Sequence, residues 1–251
     1  RPSIIESSLE DPEPGWISGL KVGDPLVIAY GKGVLPDFPA RPGSALDMIP
    51  VDLVVNAVVG AATQASSAEV RVYHVATSGE NPLLNSTMFS YVREYFLEHP
   101  MCNKNGKVPE LKPLTLPSRR RFSTKIFVKY RFPLAVGQWL VARLPGRLAS
   151  SRVKRRLSAQ KKRLERVLYY TNLFSPYTFL DCRFETKSLL AFFESLPAQE
   201  KRAFNMDVRS IRWETYYKEI HLPGLRKHVL KEGNGADPLL DDESVEVESS
   251  S

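Results

Sequence analysis

Disulfides, membrane spans and metal motifs are all scarce in this sequence. Its 251 residues hold two cysteines, Cys102 and Cys182. Two thiols cannot build a disulfide framework; they suit a reducing compartment and are expected to be buried as small apolar residues. No stretch approaches the roughly 20 apolar residues that a spanning helix needs. His74, His99, His221 and His228 are scattered without H-x-x-x-H spacing, so no metal site is expected. No G-x-G-x-x-G occurs, which removes the Gly-rich turn that lets a backbone approach a pyrophosphate. The opening RPSIIESS has neither the basic nor the apolar region of a signal peptide. Without a methionine it reads as a chain whose beginning has been lost. The expected location is the cytoplasm, or a membrane's cytosolic face as a peripheral protein.

Hydrophobic residues make up 43%, close to the globular average and enough for a sizeable core. The 19 prolines point to many loops and short elements. Charge is unevenly spread. From Ser118 to Arg166 there are sixteen Lys and Arg, among them Arg119, Arg120, Arg121, Lys129, Arg131 and Arg143, and one acid, Glu165. That stretch carries +15, so the rest of the chain carries −8 of the +7 total. A local excess of this kind calls for a local anionic partner, or is a solvated helical face. The run 132–142 (FPLAVGQWLVA) is apolar, holds Trp139 and is flanked by Lys129, Arg131, Arg143 and Arg147. Such a run suits an interfacial helix on an anionic membrane. A CoA phosphate would also suit the cations. No nucleic-acid motif accompanies them, so nucleic acid is not expected as a partner.

Residues 1–100 read as α/β. The apolar run 26–29 follows the turn residues Gly23, Asp24 and Pro25, and Gly31 and Gly33 flank Lys32 in a tight loop after Tyr30. A strand is expected through Met48 and Ile49. Pro50 in a first helical turn and Asp52 near an N-terminus then start a helix, with Leu53, Val54, Ala57, Val58, Ala61 and Ala62 at helical spacing. That helix is expected to be largely buried. Alternation in VRVYHV (70–75) predicts a strand, and Asn85 or Ser86 is placed to cap a helix over 87–97. The proline-rich segment 101–118 reads as a linker. Residues 119–232 read as a helical domain, with helices expected over 134–144, 150–172, 186–196, 199–204 and 212–219. Phe204, Trp213 and Tyr216 are expected in its core beside Asp207. The acidic, Ser-rich tail 233–251 reads as disordered.

Five stretches together resemble the alcohol-forming fatty acyl-CoA reductase family. They are RPSIIESSLEDPEPGWI (1–17), VIAYGKG (27–33), LDMIPVDLVVNAVV (46–59), YHVATSGENPL (73–83) and FNMDVRSIRWETYY (204–217) followed by LPGLRKHVLKE. Their order and spacing are what make the resemblance specific.

The resemblance implies the C-terminal part of a Rossmann-like, extended short-chain dehydrogenase/reductase domain, followed by a mostly helical domain. It implies two hydride transfers from NADPH that take a long-chain acyl-CoA to the aldehyde and then to the primary alcohol. It puts Arg1, Pro2, Ser3 and Ile4 near the nicotinamide. It puts Trp16 and Ile17 in a loop over the substrate, with Tyr30 and Lys32 toward CoA. Trp16 equally suits plain packing under a proline-rich loop, and Lys32 equally suits a solvated turn. The family's Tyr-x-x-x-Lys pair has no match: four residues after Tyr91 and Tyr169 come Tyr95 and Leu173. The pair is expected ahead of Arg1, and the chain alone is expected to be inactive.

Overall fold

The computed structural model describes residues 1–20, 23–33, 37–63, 70–102, 107–143 and 151–230. The tail 233–251, Arg147, and the Asn103, Asn105 and Gly106 part of the linker lie outside those residues. The order of elements is α/β first and helical afterwards, as the sequence leads one to expect.

The opening strand β1 (Ile4–Glu6) pairs in parallel with β3 (Met48–Pro50), Ile4 lying opposite Met48. Successive backbone N–H groups of a strand point to opposite sides. Ile4 N–H therefore reaches Asp47 O at 3.2 Å, while Ser3 N–H reaches Val75 O at 3.0 Å on the other side. The segment 1–6 thus has a parallel neighbour on each flank, Pro2 bridging to Val75. Next to β3, β2 (Ala45–Leu46) pairs antiparallel with β4 (Leu83–Leu84).

Several expectations are corrected here. The stretch 70–75 is no ladder: Val75 alone bridges to the strand, and Val70 and Val72 are exposed. Alternation gave it the right pattern, but a strand also needs a partner along its length. Pro50 closes β3, and α2 (Val51–Thr63) starts one residue later. Of α2, Asp52, Leu53, Val54 and Ala57 are buried, whereas Val55, Val58 and Val59 are exposed, so the helix buries one face only. The run 26–29 belongs to a helix, α1 (Asp24–Gly31), with Lys32 at its C-cap and Gly33 at φ +66°. All eight residues of α1 are buried, so no polar face exists to mark a helical period. Neither Asn85 nor Ser86 caps α3 (Asn85–Glu98); Leu84 is at the cap position. The Asn85 amide instead donates to Arg41 O at 2.9 Å and Thr178 O at 3.0 Å. Both cysteines are exposed rather than buried.

The helical part comprises α4 (Arg119–Ile126), a π turn (Phe127–Arg131), α5 (Phe132–Arg143), α6 (Ser151–Thr178), α7 (Lys187–Ser195) and α8 (Ala198–Ala203). It ends in α9 (Trp213–Thr215), a π turn (Tyr216–His221), α10 (Leu222–Leu225) and a second π turn (Arg226–Leu230), which run on as one rod. The rod runs past Glu219, where the sequence places the end of this helix, through Pro223 and Gly224 to Leu230. Pro223 lies inside that continuous rod, directly after the first π turn, whose wider repeat already departs from the i→i−4 bonding that a proline would break.

The rod completes the core. Tyr216, Tyr217, Leu222 and Leu225 are each 1% exposed and pack with Ile28, Ile49, Leu53 and Val92 from the α/β part. Phe204 is exposed and stands outside that core. Full burial of each leucine contributes about 1.5–3 kcal/mol. The Asn81 amide holds the rod's entrance by donating to Val208 O and Ile211 O, at 3.0 and 2.8 Å. The Trp213 indole donates back to Asn81 O at 3.0 Å.

The loop between β1 and α1 is pinned from two sides. The Asp52 carboxylate accepts from the N–H groups of Leu9, Glu10 and Asp11 at 2.9, 2.8 and 3.2 Å. On the far side, Gly15 lies directly on Gly224 of the rod. Asp52→Ala would strand three backbone donors under the loop. It is expected to lower stability by about 2 kcal/mol, read as a lower urea midpoint at unchanged slope. Asp52→Asn should recover only part of the loss, since an amide oxygen replaces a charged acceptor.

Candidate functional site

The strand end, the loop and α1 carry the residues that sequence reasoning marked for cofactor and substrate. Arg1 and Pro2 are exposed at the leading end of β1, Ser3 and Ile4 half-buried behind them. Ser3 Oγ is buried and has no hydrogen-bond partner among the described residues. Trp16 is 39% exposed on the loop, while Ile17 is buried. Tyr30 is buried, and its hydroxyl donates to Lys112 O at 2.9 Å. Burial pushes its phenol above the usual value, the nearby Arg93 acting the other way. Tyr30 and Lys32 are at the C-terminal end of α1, about 10 Å along the helix from Asp24 at its start. Trp16 and Ile17 lie in the loop held on the C-terminal rod.

Two clefts lie nearby. One, about 40 Å³, is apolar and lies between β1, α1, α3 and α6, where Ile4, Leu26, Met48, Met88, Phe174 and Tyr177 face one another. The other is open, about 430 Å³, and is lined by Arg71, Val72, Tyr73, Ser188, Phe192 and Ser195.

The strongest concentration of polar groups is elsewhere, buried where the loop, α1 and the rod meet. The imidazole of His221 places Nε2 3.2 Å from Asp24 Oδ1 and Nδ1 3.0 Å from Ser7 Oγ. Ser7 Oγ also lies 3.1 Å from the Tyr216 hydroxyl, which donates to Ser7 O at 2.7 Å. These four contacts need four protons. Ser7 and Tyr216 supply one each, and the imidazole supplies the other two when both nitrogens carry a proton. Glu6 lies alongside: it, Asp24 and His221 have donor atoms within 4.8 Å of one another, all three buried. Burial pushes the Tyr216 and Tyr217 phenols well above their usual value, the Glu6 carboxylate adding to the effect.

The order Ser, His, Asp matches a nucleophile relay, but Ser7 is 0% exposed. No reacting carbonyl can reach its oxygen, so the relay geometry fails the test of access. The cluster is a buried tie between the two ends of the chain. Sequence reading treated His221 as an isolated histidine and passed over Glu6, Ser7 and Asp24. Its partners lie some two hundred positions away, and spacing alone carried no signal of them.

The basic segment is solvated along most of its length. Arg120, Arg121, Lys129, Arg131 and Arg143 are exposed. Arg119 stacks on Phe179, 4.7 Å from the ring centre, and Lys125 pairs with the buried Asp37 at 2.6 Å. Those two cations are held by the fold and Lys161 pairs with Glu165 at 3.7 Å, while the five exposed ones stand open to solvent or a partner.

Two family models, both described as male sterility protein, match this chain, an NAD-binding one over residues 1–58 and another over residues 144–232. The first covers β1, the loop, α1 and the start of α2, which is the Rossmann-like part; the second covers α6 through the rod. Fatty acyl-CoA reductase 2, chloroplastic, of Arabidopsis thaliana is 34% identical over 241 residues, covering 92% of this chain and 38% of the relative. Probable fatty acyl-CoA reductase 5 of the same plant is 34% identical over 239 residues, covering 92% and 47%. The alcohol-forming fatty acyl-CoA reductase of Simmondsia chinensis is 29% identical over 238 residues, with the same two shares, 92% and 47%. The chain spans less than half the length of these relatives.

Proposed function

The chain belongs to the fatty acyl-CoA reductase family, and from that premise we propose that it forms the substrate-facing and helical portion of an NADPH-dependent enzyme. The enzyme takes a long-chain acyl-CoA to the primary fatty alcohol. The observation that carries this reading is the strand 1–6, flanked in parallel on both sides, with Arg1, Pro2 and Ser3 at its leading end and an apolar cleft beside Ile4.

NADPH, when bound, supplies the two hydrides. Arg1, Pro2, Ser3 and Ile4 are the residues that would meet its nicotinamide end. Ser3 fits that role because its buried hydroxyl lacks a partner and a carboxamide can satisfy it. Trp16 and Ile17 would cover the reacting end of the substrate and exclude water. Lys32 would offer its ammonium to a CoA phosphate, with Tyr30 holding the helix end against residue 112. The reading keeps the protein in the cytoplasm or on a membrane's cytosolic face.

No Tyr-x-x-x-Lys pair and no Gly-rich turn lie within the 251 residues. The chain by itself is therefore expected to oxidise no NADPH in the presence of palmitoyl-CoA. Joining the N-terminal half of a curated relative ahead of Arg1 is expected to give NADPH-dependent hexadecanol, detected by gas chromatography. A chimera that folds and binds NADPH yet forms neither aldehyde nor alcohol would overturn the proposal.

A further inference from the structure

We propose that the outward face of α5, with the π turn that precedes it, is a docking surface for an anionic lipid bilayer.

The helix has two distinct faces. Leu134, Gly137, Gln138 and Val141 are half-buried, at the i, i+3, i+4, i+7 spacing of one helical stripe. That stripe packs on α6: a Cβ on Gly137 would lie 3.5 Å from Leu157. The opposite stripe should then be polar in a helix bathed by water. It is instead Phe132, Val136, Trp139 and Leu140, exposed at 57, 39, 52 and 51%. The π turn enlarges the patch. Its wider repeat sets Phe127 and Phe132, five residues apart, with ring centres 6.3 Å from each other. Phe127 and Val128 are as exposed as the rest. A contiguous apolar surface of this kind marks an interaction site.

Charge identifies the partner. Lys129 and Arg131 stand at one end of the stripe and Arg143 at the other, all exposed. None of the three has an ion pair among the described residues, and no acid occurs from Ser118 through Leu164. The Arg143 guanidinium lies 4.0 Å over the Trp139 ring, which keeps a cation and an amphipathic aromatic together at one depth. Apolar side chains in the middle with cations and a tryptophan at the margins match the headgroup boundary of a bilayer. A second copy of the chain would set one strongly basic segment against another, which argues against self-association through this face. The contact is with the surface, for no described helix is long and apolar enough to cross a membrane.

The test is co-sedimentation with large unilamellar vesicles, one set of phosphatidylcholine and one with about 30% phosphatidylserine. Binding to the anionic vesicles is expected at about 0.1 M NaCl and should weaken at least about tenfold at about 0.5 M. A blue shift of tryptophan emission should accompany it and vanish in Trp139→Phe. The double substitution Phe132→Glu with Trp139→Glu should reduce binding at least about tenfold without lowering the melting temperature, because neither side chain touches the core. Lys129→Glu with Arg143→Glu is a second variant that leaves the apolar stripe intact and should act in the same direction. No vesicle binding at low salt would overturn the proposal, as would equal binding by the wild type and both double variants. So would self-association, seen by analytical ultracentrifugation, that the first double substitution abolishes.

Discussion

Replacing His221 with leucine is expected to lower the unfolding free energy by about 3 kcal/mol, because it removes the buried imidazole that bonds both Asp24 and Ser7. Asp24 and His221 are 1% exposed each, and the imidazole is the group that joins Asp24 to Ser7. Leucine fills much of the space but offers no proton to either neighbour. The Asp24 carboxylate loses its imidazole partner in a region that also holds Glu6, and Ser7 loses an acceptor or donor. In a chain of this length the loss corresponds to a fall in melting temperature of about 10 °C. Differential scanning calorimetry reads it directly. Asp24→Asn combined with His221→Leu should cost less than the two single variants added together, since both remove the same buried contact. If the single variant melts within a degree or two of the wild type, the buried tie contributes nothing to stability.

The second large effect is expected at Gly224. A Cβ there would fall well inside contact distance of the Gly15 carbonyl and would also lie 2.6 Å from Gly15 Cα. Both obstacles are backbone and cannot rotate away. Gly15 cannot yield by a change of conformation either: its φ of +78° already lies where only glycine is comfortable. Gly224→Ala must therefore push the loop off the rod, at a cost of about 3 kcal/mol or more. The matching control is Gly43→Ala, where an added Cβ meets nothing within 4 Å; it should be neutral or slightly stabilising. Guanidinium unfolding of the two variants side by side distinguishes a local packing effect from a general intolerance of the extra methyl.

Gly224 also shows what the sequence could and could not disclose. A Pro-Gly pair inside an apolar helical pattern reads as a stop, and on local chemistry that is sound. The rod continues because Pro223 follows a π turn, where the regular ladder is already displaced, and Gly224 is needed for contact with a loop some two hundred residues away. The same split recurs across the fold. Where the signal is local, as in the apolar run into Pro50 or the stripe of α7, element and boundary follow within a residue or two. Where tertiary contact decides, the reading fails. Helix α1 has no polar face, Asn85 spends its amide on other segments, and 70–75 makes a single bridge, at Val75. Of the candidate site, the resemblance pointed to the strand end and the loop. The Glu6, Ser7, Asp24 and His221 cluster was invisible because it exists only once the last helix has docked. The apolar stripe of α5 was legible as a run with flanking cations, but not which side of it faces outward.

The bonds from Ser7 to Tyr216 and His221 span 209 and 214 residues. On a ribosome adding about 5–20 residues per second, the first strand therefore waits roughly 10–40 s for the aromatics that cover it. Through that interval its neighbours Ile28, Ile49 and Leu53 have only part of their packing, and the nascent polypeptide presents the kind of surface that holdase chaperones recognise. The timing of biosynthesis is thus written into the placement of two tyrosines and a histidine some two hundred residues downstream of the strand they cover.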